Sequence, residues 1–187
     1  EGFARYCQAL WVEHRDGEEA YFNFMNNHSY FGGGTVYVEN PSSNSIIFNS
    51  SLSYNKASWV LHMLRHIVGD NTFFNILRSY GSNDSLAYNV ASTSDFQNVC
   101  ENVSGLDFDD FFDQWIYGDR HPHYQLSWWH EGEGIYKVNI DQLQSTGYFS
   151  MPIDITLSGS QGPLFQDTTI VVNNSGSTQI YEFSGLD

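Results

Sequence analysis

"LSYNKASWVLHMLRHIVGDNTFFNILRSY", residues 52–80, carries the periodicity that decides the fold of the first part of the chain. With Leu64 at the middle of an apolar face, Ala57, Val60, Leu61, Ile67 and Val68 fall within about one-sixth of a turn of it at 3.6 residues per turn. The spacing predicts a helix from about Ala57 to Val68, ended by Gly69, and a following helix that buries Phe73, Phe74, Leu77 and Tyr80. His62 and His66 stand at i and i+4, the spacing by which one helix offers two imidazoles to a metal. The same wheel turns both away from Leu64, and Arg65 adds a positive charge beside them. Met63 also occupies the place where a helical zinc motif puts its general-base Glu. A solvated pair is predicted here, not a metal site.

Upstream, Phe3, Tyr6, Cys7, Leu10 and Trp11 recur at helical spacing and predict a first helix ending near Arg15. A second is expected from Asp16, with Glu18 and Glu19 in a first turn that favours acids, and with Tyr21, Phe22, Phe24 and Met25 inward. "FGGGT" at 31–35 breaks it and "ENPSSNS" at 39–45 reads as a loop. Downstream, Ser94 and Gln97 have capping-box spacing before Phe96, Val99, Cys100 and Val103. Asp107 opens a further helix with Phe108, Phe111, Phe112 and Trp115 inward, stopped by Gly118. The acids of "DFDDFFDQ" at 107–114 lack the spacing and glycine of a calcium loop and suit a helix start.

After "GDRHPH" the period changes from about 3.6 to 2. His121 and His123 flank Pro122 as a rigid connector. Tyr124, Leu126 and Trp128 alternate with polar residues, as do Tyr136, Val138 and Ile140, then Ile153, Ile155 and Leu157, then Ile170 and Val172, then Tyr181 and Phe183. "EGEG", "GSQGP" and "NNSGS" separate them as turns. The fold class is therefore α+β: an all-helical array over residues 1–121 and a small antiparallel β-sandwich over 122–187. Trp128 and Trp129 would suggest a sugar-binding platform, but the alternation turns Trp128 inward.

Seven Lys and Arg against 22 Asp and Glu give a net charge of −15 in 187 residues, a field that repels phosphate backbones and anionic headgroups. No nucleic acid and no membrane surface is expected as partner, and no apolar run approaches the roughly 20 residues that span a bilayer. Cys7 and Cys100 are expected to be buried free thiols. The acidic, Lys-poor, Asn-rich composition leans towards an exported parent protein. No Walker loop, dinucleotide fingerprint or nucleophile elbow is present.

Residues 52–80 resemble the aminopeptidase N family of zinc metallopeptidases, whose members carry Tyr-x-Lys-Gly-Ala, a Leu- and Met-rich helix and Gly-Asp-x-x-Phe. "FQNVCENVSGLDFDDFFDQWIYGDRHPHYQLSW", 96–128, is similar to the family's next helical pair and its exit into a β domain, and "QLQSTGYFSMPIDITL", 142–157, to strands of that domain. "EGFA" at 1–4 is similar to the end of the zinc motif, His-Glu-x-x-His followed eighteen residues later by a Glu within Asn-Glu-Gly-Phe-Ala. The resemblance implies that Glu1 is the third zinc ligand and that Tyr54 donates to the oxyanion of the tetrahedral intermediate. Lys56 is expected to support the turn. Both histidine ligands, the general base and the amine-recognition loop would then precede residue 1.

The chain is thus expected to be the C-terminal half of a thermolysin-like catalytic domain plus a β domain. Its parent would hydrolyse N-terminal residues from peptides, while the isolated chain would hold no catalytic zinc and show no activity. Ala57 and Ser58 depart from the family's Gly and Ala, which bears on the place of Tyr54. The alternative is a non-catalytic scaffold that binds a peptide or protein. Without the missing N-terminal half, exposed apolar surface would favour a homodimer.

Overall fold

The computed structural model describes residues 1–157 and 168–184. The chain forms two compact units, Glu1–Arg120 and His121–Asp187. The first is helical and the second is made of strands, the expected α+β class.

In the helical unit α1 (Gly2–Asp16) and α2 (Glu18–Asn27) meet at Gly17, whose φ of 91° lies in the left-handed region that favours glycine. The buried line of α1 runs through Gly2, Tyr6 and Ala9. Cys7 and Trp11 are exposed, and so is much of Phe3, against the expected stripe. Close approach explains the shift: a Cβ added at Gly2 would lie 2.5 Å from Cβ of Ala57, so small residues face the neighbouring helix. In α2, Tyr21 and Met25 are buried one turn apart, while Phe22 is exposed and Phe24 half-buried. The short helix α3 (Asn44–Ile47) begins inside the expected loop 39–45.

A π-helical turn, Ser50–Lys56, leads without a break into α4 (Ala57–Val68). The Asn49 side chain starts that turn by accepting the N–H groups of Ser51 and Leu52, both at 3.0 Å. α4 buries Val60, Leu61 and Leu64, as its wheel predicts. In α5 (Asp70–Gly81) Phe73 and Ile76 are buried, and Phe74, Leu77 and Tyr80 are half-buried. α6 (Thr93–Ser104) is capped by Ser92 and Asp95, two residues before the expected pair; Gln97 instead donates to Glu101 and Asp109. α7 (Asp109–Phe112) runs into a second π-helical turn, Asp113–Tyr117, with Phe108, Phe111, Phe112 and Trp115 buried. No helix among the described residues is long and apolar enough to cross a membrane.

In the second unit β1 (Tyr124–Gly132), β2 (Ile135–Gln142) and β5 (Thr178–Phe183) form an antiparallel sheet in the order β1-β2-β5. β3 (Met151–Leu157) and β4 (Thr168–Asn174) form a second antiparallel sheet. Val138, Ile140 and Phe183 of one sheet share a core with Ile155 and Val172 of the other. "EGEG" turns the β1-β2 hairpin with Glu133 and Gly134 at positive φ, whereas "GSQGP" at 159–163 lies outside the described residues. Buried Gln142 clasps the sheets: its Nε2 donates to Phe149 O at 2.7 Å and to Asn174 Oδ1 at 2.5 Å. Its Oε1 accepts the Phe149 N–H at 2.8 Å.

Trp128 differs from its expected setting. It pairs with Val138, and Leu126 pairs with Ile140, so both lie on the core side of their sheet. They are nevertheless 66% and 55% exposed, because the two-stranded sheet facing them is narrower than the three-stranded one. Trp129 lies on the opposite face of β1, so the two indoles make no platform.

Candidate active site

The N-terminus of α1 and the π-helical turn before α4 bring Glu1 and Tyr54 together. The Glu1 carboxylate lies near the Tyr54 phenol, and the Arg5 guanidinium lies 5.8 Å from the centroid of the Tyr54 ring. Loss of solvent raises the Tyr54 pKa first, and the nearby Glu1 carboxylate raises it further. The phenol therefore keeps its proton through neutral pH and remains a donor.

Three buried side-chain atoms in this corner have no hydrogen-bond partner among the described residues: Arg5 Nε, Ser53 Oγ and Asn55 Oδ1. Buried polar groups are nearly always satisfied, so a cluster of exceptions marks a place where the chain holds polarity for something else. The signal for Arg5 lies in the sequence, one helical turn after Glu1, but only the fold shows that it meets Tyr54.

Lys56 holds the turn, as expected. It is 6% exposed, and its Nζ donates to Gly34 O at 2.8 Å and Gly118 O at 3.0 Å. Asp119 accepts the Gly34 N–H, and this bond, the largest cause, holds its carboxyl below the usual range. The "FGGGT" loop, the end of the second π-helical turn and the Tyr54 turn are thereby tied to one ammonium. The departures at 57 and 58 are accommodated. The Ala57 methyl rests on Gly2, and the fully buried Ser58 hydroxyl donates to Asn55 O at 2.8 Å.

His62 is not solvated. Its Nδ1 lies 2.6 Å from the Tyr21 hydroxyl, which is 3.1 Å from that of Tyr6, and its ring packs on Trp59 and Phe22. Burial, then the charges of His66 and Arg65, push its pKa down to about 4. The wheel placed it opposite Leu64, but α2 covers that side of α4. His66 is exposed. These two histidines, with Glu13, Glu18 and Asp70, line a hollow of about 500 Å³. Their ligand atoms do not converge on one point. Among the described residues the group that does is Glu101, Asp107 and Asp109, whose oxygens already accept from Gln97 and from the Phe108 and Asp109 amides.

Glu1 belongs to no cluster of three ligand-type side chains among the described residues, so these residues do not form a three-ligand zinc site by themselves. A catalytic zinc takes about three protein ligands.

A helical unit followed in the chain by a small β unit has a counterpart among solved structures. The structure of Legionella pneumophila aminopeptidase A in complex with aspartic acid superposes with a TM-score of 0.77 at 15% identity, covering 98% of this chain and 21% of that one. Residues 1–115, well over half of the chain, match the Peptidase family M1 domain, and the chain belongs to that family. Aminopeptidase N of Lactococcus lactis subsp. lactis is 32% identical over 85 residues, 46% of this chain and 10% of its own length. Membrane alanyl aminopeptidase of Heliothis virescens is 25% identical over 194 aligned residues, 90% of this chain and 19% of its own length. The chain thus spans between a tenth and about a fifth of each protein it matches.

Proposed function

We propose that this chain is part of a zinc-dependent aminopeptidase that hydrolyses the N-terminal residue of peptides. Residues 1–121 form the helical part of its catalytic domain, and 122–187 the following β domain. Tyr54 donates to the oxyanion and Glu1 is one metal ligand. The observation that supports this reading is the nearness of Glu1 and Tyr54: the family resemblance selects each from a different stretch, and the carboxylate lies close enough to the phenol to raise its pKa.

Zinc in such a site supplies polarisation of the scissile carbonyl and of a water. The chain's own contribution is a neutral phenol held where negative charge develops, with Arg5 beside it and Lys56 fixing the turn. One donor of this kind is worth about 10²–10³ in kcat. In the parent protein Tyr54→Phe should lower kcat by that factor with KM little changed; an unchanged kcat would refute the assignment.

The other ligands are expected on the preceding half of the catalytic domain. The isolated 187-residue chain should therefore leave an aminoacyl anilide intact in the presence of zinc, and turnover lost on chelation would overturn this. Without that partner, self-association through uncovered apolar surface is expected. Light scattering that reports only monomer, with no hydrophobic dye bound, counts against it. A non-catalytic scaffold is the rival reading. It rests on Ala57 and Ser58, and Tyr54 stays near Glu1 with both in place.

A further inference from the structure

We propose that Arg5 is an anion receptor beside Tyr54: its guanidinium takes a carboxylate of the bound peptide, so that substrates carrying one close to the cleaved bond are preferred. That the anion belongs to a peptide rests on the peptidase reading; that Arg5 is placed to meet an anion rests on its surroundings alone.

The charge count makes Arg5 an exception. The chain has seven Lys and Arg against 22 Asp and Glu, so acids are plentiful for every cation. Arg15, Arg65, Arg120 and Lys137 each meet a carboxylate, while Lys56 and Arg78 donate to carbonyl oxygens. The Arg5 side chain has no hydrogen bond and no ion pair among the described residues, and its Nε is buried without an acceptor. A buried charged donor without a partner is costly, so an anion that reaches Arg5 gains an interaction the fold leaves unmade.

Two acceptors close by leave that fork open. Glu1 stands four residues earlier at the start of α1, the order and spacing at which Glu and Arg pair on a helix, yet no ion pair forms. Its carboxylate lies near the Tyr54 phenol instead. Asn55 Oδ1, on the residue after Tyr54, is itself an acceptor without a partner among the described residues.

What Arg5 does meet is the Tyr54 ring, 5.8 Å from guanidinium carbon to centroid. That is within the reach of about 6 Å for a cation over an aromatic face. A guanidinium seated in this way keeps its N–H groups for other partners, and its planar fork matches the two oxygens of a carboxylate. The same ring carries the hydroxyl assigned to the oxyanion. A residue of extended peptide spans about 3.3–3.6 Å, so a carboxylate one or two residues from the cleaved bond can reach Arg5 while the reacting carbonyl meets Tyr54. Two carboxylates of a peptide satisfy that condition: the C-terminus of a dipeptide and the side chain of an acidic N-terminal residue. The negative charge of Glu1 opposes either one in the bare chain, and a cation held by Glu1 removes that opposition.

The test compares ratios. In the parent protein leucyl-glycine is set against leucyl-glycinamide, and a glutamyl anilide against a glutaminyl anilide. In at least one pair Arg5→Gln should lower the acid-to-amide ratio of kcat/KM by about ten-fold or more, and Arg5→Lys should keep part of it. The pair that responds identifies the carboxylate. A common fall in both members of each pair would mean that Arg5 only packs on Tyr54, and would overturn the proposal; unchanged ratios would do the same.

In the 187-residue chain, labelled with ¹⁵N, N-acetylglycine should move the Arg5 Nε signal and N-acetylglycinamide should not. No shift, or equal shifts, would overturn the anion receptor. A shift with N-acetylglycine alone, in a protein whose parent cleaves none of the four substrates, would overturn the peptidase reading and leave the receptor. Cleavage with ratios indifferent to Arg5 would do the reverse.

Discussion

The two ends of α4 are built in opposite ways. Near its C-terminus Arg65 donates two bonds to Glu13, at 2.7 and 3.0 Å, and two to Asp70, at 2.8 and 3.0 Å, joining α1, α4 and α5. Its guanidinium also lies over the rings of Tyr21 and Phe74, and the Tyr6–Tyr21–His62 chain ties α2 into the same knot. Near the N-terminus Lys56 donates to two carbonyls, yet around Tyr54 the atoms Arg5 Nε, Ser53 Oγ and Asn55 Oδ1 have no partner among the described residues, and Ser53 lines an open hollow. One end spends its polar groups on holding helices together; the other keeps them free. A phenol can be aimed from an under-satisfied turn because the far end of the same helix is locked.

The sharpest way to break this contrast is Arg65→Met. The side chain is 13% exposed, and its removal leaves Glu13 and Asp70 without their counter-charge. Losing one partner of a mostly buried ion pair costs about 3–5 kcal/mol, and the exposure of Asp70 puts the expectation at the lower figure. Chemical denaturation should show it, with the Tyr54–Glu1 contact, read by tyrosine NMR, less affected than the stability.

Next in size is a pH effect. His62 titrates near 4 in the folded chain, below the usual value for a free imidazole of about 6.5. Between those values the unfolded chain binds the extra proton, so this group's stabilisation is complete above about pH 6.5 and is lost as pH falls towards 4. At about 1.4 kcal/mol per unit, the loss is about 3 kcal/mol. Urea melts from pH 7 to 4 should record it, and His62→Gln should flatten that part of the profile. Equal slopes in the two proteins would show that His62 is not the group responsible.

The smallest effect is expected at Trp128. Although it sits on the core side of β1, Trp128→Thr should change stability by less than about 0.5 kcal/mol, since little of the indole is covered. A larger loss in a melt would mean that something does cover it.

The limits of α4 were legible because a 3.6-residue period and a terminal glycine agree. The two π-helical turns were not, since wider i→i+5 winding leaves no mark in that period. The helix cap was misplaced by two residues because Ser92 with Asp95 and Ser94 with Gln97 share the same spacing, and only the chain path chooses between them. His62 was misread for a related reason: a wheel gives directions from an axis, not what stands along them. Periodicity also predicted the phase of Trp128 but not its exposure, which depends on the width of the facing sheet. Glu1 and Tyr54 were found by resemblance alone; no pattern of spacing links them. Cys7 was misjudged because the contact line of α1 is chosen by bulk, with glycine and alanine at the seam.

That seam has an evolutionary corollary. Positions 2 and 57 share a space with room for one methyl group, and Ala57 already fills it. Any relative that keeps this geometry can enlarge one position only by trimming the other, so substitutions there should travel as pairs through a lineage even though the residues lie in separate helices.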